Sequence, residues 1–534
     1  MDASAMGTVV SINGDDGKFE RGLWQSAEKL RGPVEAAEYK HIVLGLLFLK
    51  YMSDAFERRQ AELEELTRDP DSVYYCDGDE EEREFILNDK DSYYAENVFY
   101  VPEEARWEHL QANATDPEIG VMVDDAMRAV EDENTQLEGM LAKQYSRIPQ
   151  DTLEGLLNEF ANLDLGGDQD MADQDRDVFG RVYEYFIKEF ARKEGHRGGE
   201  FYTPKHVVEL LVEILEPYEG RIFDPFCGSG GMFVQSHNFL QRHNGDAGQL
   251  SLYGQEINEA TWRICKMNLY LRGIEGRIEL GDSIRDDKFS RLHADTVITN
   301  PPFNMSEWGK DTVADDDPRF EYGMPPSNNA NFAFIQHMLY HLEEDGMAGT
   351  VMANGSMSVQ GTEGEIREKI IEDDLLDAVV SLPGELFYTT SIPVCLWILS
   401  KGKGEDGDEY RARSDETLFI DASDMYESVD RTQNVLKEEH ISKVAETVRA
   451  YRGEDAGDEY EDKTGFCSVA TTDDIADNGY MITPGRYVGI RREEDNGVPF
   501  EVKMEELSAE LREQFQRSNT LQEEIETNLE ELGF

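Results

Sequence analysis

Cysteine and positive charge are both in short supply in this chain of 534 residues. Its five cysteines, Cys76, Cys227, Cys265, Cys395 and Cys467, are scattered without a C-x-x-C pair. That usage fits a reducing cytoplasm and argues against a zinc site. No run is long or apolar enough to span a membrane, and residues 1–16 lack a signal-peptide pattern and read as a loose leader. No G-x-x-x-x-G-K-[ST] loop is present, which argues against a P-loop nucleotidase, and there is no internal repeat. Only 51 Lys and Arg stand against 113 Asp and Glu, a net charge of -62. Such a balance ordinarily argues against nucleic-acid binding. It fits either an acidic interaction protein or a protein adapted to multimolar salt, where the screening length falls to ~3 Å and repulsion from phosphate is largely removed. Normal aromatic and apolar content, with the acids in loops, favours the second.

What the chain does have is a series of short motifs. Arg221-Ile222-Phe223 reads as a buried strand running into Asp224-Pro225-Phe226-Cys227-Gly228-Ser229-Gly230-Gly231, and then into an apolar helix from Met232 to about Leu240. Strand, Gly-rich turn and helix make the opening unit of a doubly wound α/β sheet, whose ligands sit at the carboxyl ends of the strands. The glycines let backbone approach a ligand closely. The loop departs from G-x-G-x-x-G because an acid opens it. An anionic Asp224 repels a pyrophosphate but can hold an ammonium or sulfonium ligand. Cys227 reads as a small packing residue.

Two more acids fall at strand ends. Leu252 to Glu256 reads as a second strand whose terminal carboxylate can accept both hydroxyls of a ribose. Glu256 lies roughly 30 residues past the loop rather than the usual ~20, the polar stretch His243 to Gln249 supplying the excess. Arg277 to Leu280 reads as a third strand leading to Asp282, placed to accept from an adenine amino group. Singly, each acid is ordinary solvated surface in so acidic a chain; their placement at successive strand ends marks a binding edge. A further apolar run, Asp295 to Thr299, leads into Asn300-Pro301-Pro302-Phe303. The prolines fix the backbone and remove N–H donors. The Asn300 carboxamide oxygen and the Pro301 carbonyl can then converge as acceptors for an exocyclic amino group, with Phe303 as a flat surface for a base. The tetrapeptide alone is equally a rigid strand-exit turn with a buried Phe.

Taken in order, Asp224 to Gly231, Glu256, Asp282 and Asn300 to Phe303 resemble the motifs of amino-group DNA methyltransferases that use S-adenosylmethionine. Gly199-Glu200-Phe201-Tyr202-Thr203-Pro204 matches the motif preceding the Gly loop in the subclass with the cofactor region first. The N-terminal run from Leu23-Trp24 through Lys29-Leu30-Arg31-Gly32, with Glu38-Tyr39-Lys40 and Leu44 to Tyr51, resembles the helical domain of type I restriction-modification M subunits. The resemblance implies a doubly wound, mostly parallel, seven-stranded α/β sheet with an N-terminal helical domain and a C-terminal helical tail. It also implies that Glu200, Phe201, Tyr202 and Thr203 lie on the cofactor side, Tyr202 and Thr203 at its methionine end. Asp224 would hold the cofactor ammonium, Glu256 the ribose and Asp282 the adenine, with Phe226, Gly228, Ser229, Gly230 and Gly231 shaping the loop and Asn300 reaching it from the catalytic side. No metal is implied. The expected partners are DNA, a specificity subunit clasped with two M chains, and a restriction subunit able to join them.

The expected reaction is methyl transfer to the amino group of a flipped adenine, extrusion costing a few kcal/mol. Asn300 and the Pro301 carbonyl would accept the amino hydrogens and aim the nitrogen lone pair at the methyl, so that orientation and electrostatics carry the step. Cytosine, RNA or a glutamine amide as target, or a non-catalytic scaffold, are the alternatives.

The chain divides into the leader, a mainly helical domain at 17–165, a catalytic domain at 166–490 and a tail at 491–534. Tyr39 to Tyr51 reads as core, Asp77 to Glu82 as a solvated loop and Asn97 to Pro102 as a short strand. Later strands are expected at Gly349–Ala353, Leu376–Leu382 and Pro393–Leu399, the last two as an antiparallel pair. Acidic loops are expected at 402–409 and 453–462. The tail stripe Leu507, Leu511, Phe515, Leu521, Ile525, Leu529 and Leu532 has helical spacing and suits docking onto a partner subunit. Lys188, Arg192, Lys193, His196 and Arg197 form a local basic segment suited to positioning phosphates. The acidic surface points to a halophilic prokaryote. Folding and activity are therefore expected to peak at high salt; an optimum at low salt in a salt series refutes that origin.

Overall fold

The computed structural model describes residues 36–161, 183–187, 189–190, 203–243, 245, 247–387, 392–404, 410–429, 433–454, 460–490 and 504, with side chains from His41 onward. The leader, Glu200, Phe201, Tyr202, the basic residues Lys188, Arg192, Lys193, His196 and Arg197, the tail stripe and the loop residues 405–409 and 455–459 lie outside the described residues.

Among the described residues, the chain from Thr203 onward builds one sheet of nine strands. In chain order these are β1 (Gly220–Asp224), β2 (Leu250–Glu256), β3 (Gly276–Leu280), β4 (Ala294–Thr299), β5 (Leu342–Ala353), β6 (Leu376–Ser381), β7 (Val394–Ser400), β8 (Glu416–Asp421) and, after a small ribbon β9 (Glu427–Ser428) and β10 (Asn434–Val435), β11 (Cys467–Thr471). The spatial order is β11-β8-β6-β7-β5-β4-β1-β2-β3. β3, β2, β1, β4 and β5 run parallel, and β7 enters antiparallel between β5 and β6. The expected antiparallel pair is therefore present, but the expected seven strands are nine. β8 pairs parallel to β6 and β11 antiparallel to β8, extending the sheet beyond the hairpin. β5 begins at Leu342 rather than Gly349.

Successive side chains along these strands enter different cores, as the two-residue period requires. Ile222, Ile298, Val380 and Ile398 pack with the helices Lys205–Leu215, Gly231–Arg242 and Glu438–Arg452. Phe223, Val297, Val379 and Trp397 pack with the helix Asn331–Tyr340 on the other side.

The preceding helical region has a core of its own, and the helix Ala36–Leu66 buries Ile42 to Leu49 as its apolar face required. Ile264, Met267 and Leu271 of the helix Glu259–Leu271 join that core, so the helical region rests on the outer side of β2 and β3. Asn97 to Pro102 is not a strand: the Asn134 carboxamide accepts from Tyr100 N–H at 3.0 Å and donates to Tyr100 C=O at 2.9 Å, supplying what a neighbouring strand would have. Asp77 to Glu82 is only partly loop. Asp79 caps the helix Glu80–Asn88, accepting from Glu81 and Glu82 N–H, and the acids behind it complement the helix dipole.

One buried charge cluster ties the far side of the sheet together. Asp377 on β6 is fully buried between Arg413, at 2.6 Å, and Arg452, at 3.2 Å. Arg452 also donates to the Ile214 carbonyl at 2.6 Å, which joins the helix Glu438–Arg452 to the helix Lys205–Leu215. Removing one partner leaves unpaired buried charge. Asp377→Ala is expected to cost about 3–5 kcal/mol in denaturant unfolding; a loss below ~1 kcal/mol contradicts the cluster's role.

Candidate active site

The parallel pairing puts the predicted residues on one edge. Asp224 stands opposite Gly254 and Glu256 opposite Leu280, so the ends of β1, β2 and β3 rise together. Asp282 follows β3 and Asn300 follows β4. A cavity of about 40 Å3 at this edge is lined by Thr203, Asp224, Phe226, Gly228, Ser229 and Asn300, among others. The cofactor loop and the Asn-Pro-Pro-Phe corner therefore face each other.

The loop is held from several directions. Phe226 N–H donates to Asp224 Oδ1 at 3.0 Å, Cys227 N–H to the Gln255 carbonyl at 3.1 Å, and Gly228 N–H to Glu256 Oε2 at 3.0 Å. Asn268 donates to the Ser229 carbonyl at 2.8 Å, and the Ser283 hydroxyl donates to the Pro225 carbonyl. Gly230 has φ of 80° and caps the helix Gly231–Arg242; a Cβ there would lie 2.9 Å from Cys265 Sγ. Only glycine meets both conditions. At Gly228 and Gly231 a Cβ would meet no protein atom within 4 Å; both line the cavity, so a side chain there would take up ligand space.

The acids differ in state. Asp224 is buried and accepts from the Thr299 hydroxyl as well as from Phe226. Burial, with a smaller push from Glu256, raises its pKa to about 7 against those hydrogen bonds. Glu256 divides its carboxylate between Gly228 N–H and, at 2.8 Å, Asn258 N–H. Asp282 Oδ1 accepts from Ile284 and Arg285 N–H at 2.9 and 3.0 Å, and Oδ2 lies 3.5 Å from Arg285. Asp282 therefore organises a turn beside the cavity and is not among its walls.

At the corner, Asn300 Nδ2 donates to Thr203 Oγ1 at 2.7 Å. Its Oδ1 is buried and has no partner among the described residues. Pro301 is buried, Pro302 and Phe303 are half-buried, and the Phe303 ring meets Phe387 edge-on at 6.0 Å. An unpaired buried acceptor costs about 1–3 kcal/mol, which a ligand donor would recover. Sequence reasoning missed Thr299, Gln255, Asn268 and Ser283. They carry no motif; only the fold brings them to the loop.

Carboxylates with no lysine ion pair among the described residues, a glycine cradle opening on ligand space and an orphaned acceptor fit a cationic, adenosine-bearing cofactor. The chain matches the sequence profile of the N-6 DNA Methylase family over residues 174–496 and that of the HsdM N-terminal domain over residues 19–160. The Type I restriction enzyme MjaIX methylase subunit of Methanocaldococcus jannaschii is 42% identical over 529 residues, 97% of this chain and 92% of that protein. The HindI methylase subunit of Haemophilus influenzae is 42% identical over 463 residues, 81% of this chain and 100% of that protein. The crystal structure of the type I restriction-modification system methyltransferase subunit of Streptococcus thermophilus superposes with a TM-score of 0.71 at 25% identity, covering 88% of this chain and 99% of that one.

The chain belongs to the N-6 DNA methylase family, and within it to the type I restriction enzyme methylase subunits. It is an adenine-specific DNA methyltransferase dependent on S-adenosylmethionine. Among the described residues no helix is long and apolar enough to cross a membrane.

The raised pKa of Asp224 gives a signed prediction. The folded chain holds this proton up to about pH 7, whereas an unfolded Asp releases it near ~3.9. Stability of the unliganded chain therefore falls as pH rises through that window, by at most ~4 kcal/mol. Asp224→Asn keeps the acceptor for Thr299 and Phe226 and removes the charge. In thermal melts it is expected to stabilise the free protein at pH 8 and to have little effect at pH 5. In calorimetry it is expected to weaken cofactor binding roughly tenfold to hundredfold, the scale of a lost charged hydrogen bond. Unchanged cofactor affinity contradicts the assignment.

Proposed function

We propose that Asn300 is the acceptor that selects and orients the target amino group, and that the chain acts as the modification subunit of a type I restriction-modification complex. The observation carrying this reading is the Asn300 carboxamide, with its nitrogen tied to Thr203 and its oxygen buried without a partner among the described residues. A donor is needed there, and the amino group of an extruded adenine is one. The Pro301 carbonyl takes the second amino hydrogen, and Phe303 offers its ring to the base. With both hydrogens accepted in this way, the nitrogen lone pair leaves conjugation with the ring. When bound, S-adenosylmethionine supplies an electrophilic methyl on a sulfonium. Asp224 pairs with the cofactor ammonium, Glu256 with the ribose and Asp282 with the adenine, and Tyr202 and Thr203 border the methionine end together with Glu200 and Phe201. Phe226, Gly228, Ser229, Gly230 and Gly231 form the loop around it. Asn300 is a poor base and need not take a proton before attack, because the product ammonium loses one afterwards.

The relatives' description as methylase subunits of type I restriction enzymes supports an assembly in which a separate specificity subunit reads the sequence. Two M chains clasp DNA with it, and a restriction subunit can join. The division into a helical domain at 17–165, a catalytic domain at 166–490 and a docking tail at 491–534 fits that role. So does a halophilic cytoplasm, where salt screens the net charge of -62 from the phosphates.

Asn300→Ala is expected to abolish methyl transfer while calorimetry shows the cofactor still binding. Thr203→Val frees the carboxamide to rotate and is expected to lower kcat roughly tenfold, the scale of one neutral hydrogen bond. Near wild-type transfer by Asn300→Ala, read from tritium incorporated into DNA, contradicts the role.

A further inference from the structure

We infer that His337, His341 and Asp287 form a site for one divalent transition-metal cation of the zinc class, packed beneath the cofactor loop. His337 lies on the helix Asn331–Tyr340 and His341 caps its end, four residues on and therefore on the same face. Asp287 comes from the turn after β3. One ligand atom from each residue lies within 4.8 Å of the other two.

His341 stands between two acceptors, one at each ring nitrogen. Its Nδ1 faces the Leu292 carbonyl at 2.8 Å and its Nε2 faces Asp287 Oδ2 at 3.1 Å. Both partners are acceptors, and a neutral imidazole has a single N–H. An N–H on Nδ1, donated to a backbone carbonyl, is the arrangement that turns a bare Nε2 toward a metal. Asp287 spends Oδ1 on Phe289 N–H at 2.8 Å, which leaves Oδ2 for the same point. His337 is fully buried, and neither of its nitrogens has a partner among the described residues. The rings of His337 and His341 meet edge-on at 4.5 Å.

A tetrahedral site with ~2.1 Å bonds spaces its ligand atoms about 3.4 Å apart, so small side-chain rotations close the set and leave one position for water. The nearby Arg319 is turned to other partners: Asp317 pairs with its guanidinium at 2.7 Å, and the Ser283 and Ile284 carbonyls each accept a further N–H. The cation would join the helix Asn331–Tyr340 to the turn that begins at Asp282. It would lie next to Phe226 of the cofactor loop, whose ring is 6.3 Å from that of His337. The scarcity of cysteine bears only on thiolate zinc sites and leaves this nitrogen and oxygen set untouched.

The test is a titration of the metal-stripped full chain with Co2+ in high salt, followed by displacement with Zn2+. Surface carboxylates also bind divalent cations, but through oxygen, so the readout is the intense visible absorption of tetrahedral, nitrogen-ligated cobalt. One such ion per chain is expected, together with a higher melting temperature on adding Zn2+. His337→Gln is expected to lose more than the ~10–100-fold in affinity that outer-sphere changes cost, and Asp287→Asn, in a surface turn, provides a second variant should the first fail to fold. Absence of the tetrahedral signal in the wild type overturns the site. So does a signal unchanged in either variant, or nitrogen NMR showing both His341 nitrogens protonated at pH 8 whether or not Zn2+ is added.

Discussion

In-register parallel pairing of β1 with β2 on one side and β4 on the other is the constraint on which this molecule depends. It brings Asp224, Glu256 and Asn300, distant in sequence, to a single edge. The Thr299 hydroxyl then bonds Asp224 across the β1–β4 seam, so the residue before the catalytic corner also fixes the first residue of the cofactor loop. A shift of one residue in either pairing would turn these side chains to the opposite face. Among the described residues Asp224 is buried without a lysine or arginine partner, and a backbone N–H and a hydroxyl hold it in place. A cationic ligand would favour the ionised form of this buried carboxyl, which burial alone disfavours.

The same logic explains the corner. A protein rarely leaves a buried acceptor unpaired, because the desolvation is not recovered. Asn300 Oδ1 is left so while Thr203 holds the nitrogen of the same amide. The amide is thus oriented before any base arrives, which is what a step driven by positioning needs.

Much of this was legible in the sequence because local signals agreed with one another. Asp224 to Gly231 joins a buried strand, a turn that only glycine can make and an apolar helix, and the acids recur at strand ends. The missed elements lack such agreement. β8 has only a short apolar run between acids, and β11 reads Cys467-Ser468-Val469-Ala470-Thr471; such short runs do not distinguish strand from buried loop. Asn97 to Pro102 has strand-like composition, yet a single carboxamide from Asn134 satisfies it, a tertiary contact that no local pattern reveals. Gln255, Asn268 and Ser283 support the loop from three separate elements, and their role appears only once the chain is folded. The histidines at 337 and 341 look like core residues until their hydrogen bonds are counted.

The most direct measurement is a structure of the chain with its specificity partner, target DNA and the demethylated cofactor product. The expected result is an extruded adenine whose amino nitrogen lies within hydrogen-bond distance, ~2.7–3.2 Å, of Asn300 Oδ1, with the contact from Asn300 Nδ2 to Thr203 intact. An adenine amino group bound elsewhere, with Asn300 Oδ1 turned toward another protein donor, would contradict the central role given to that oxygen.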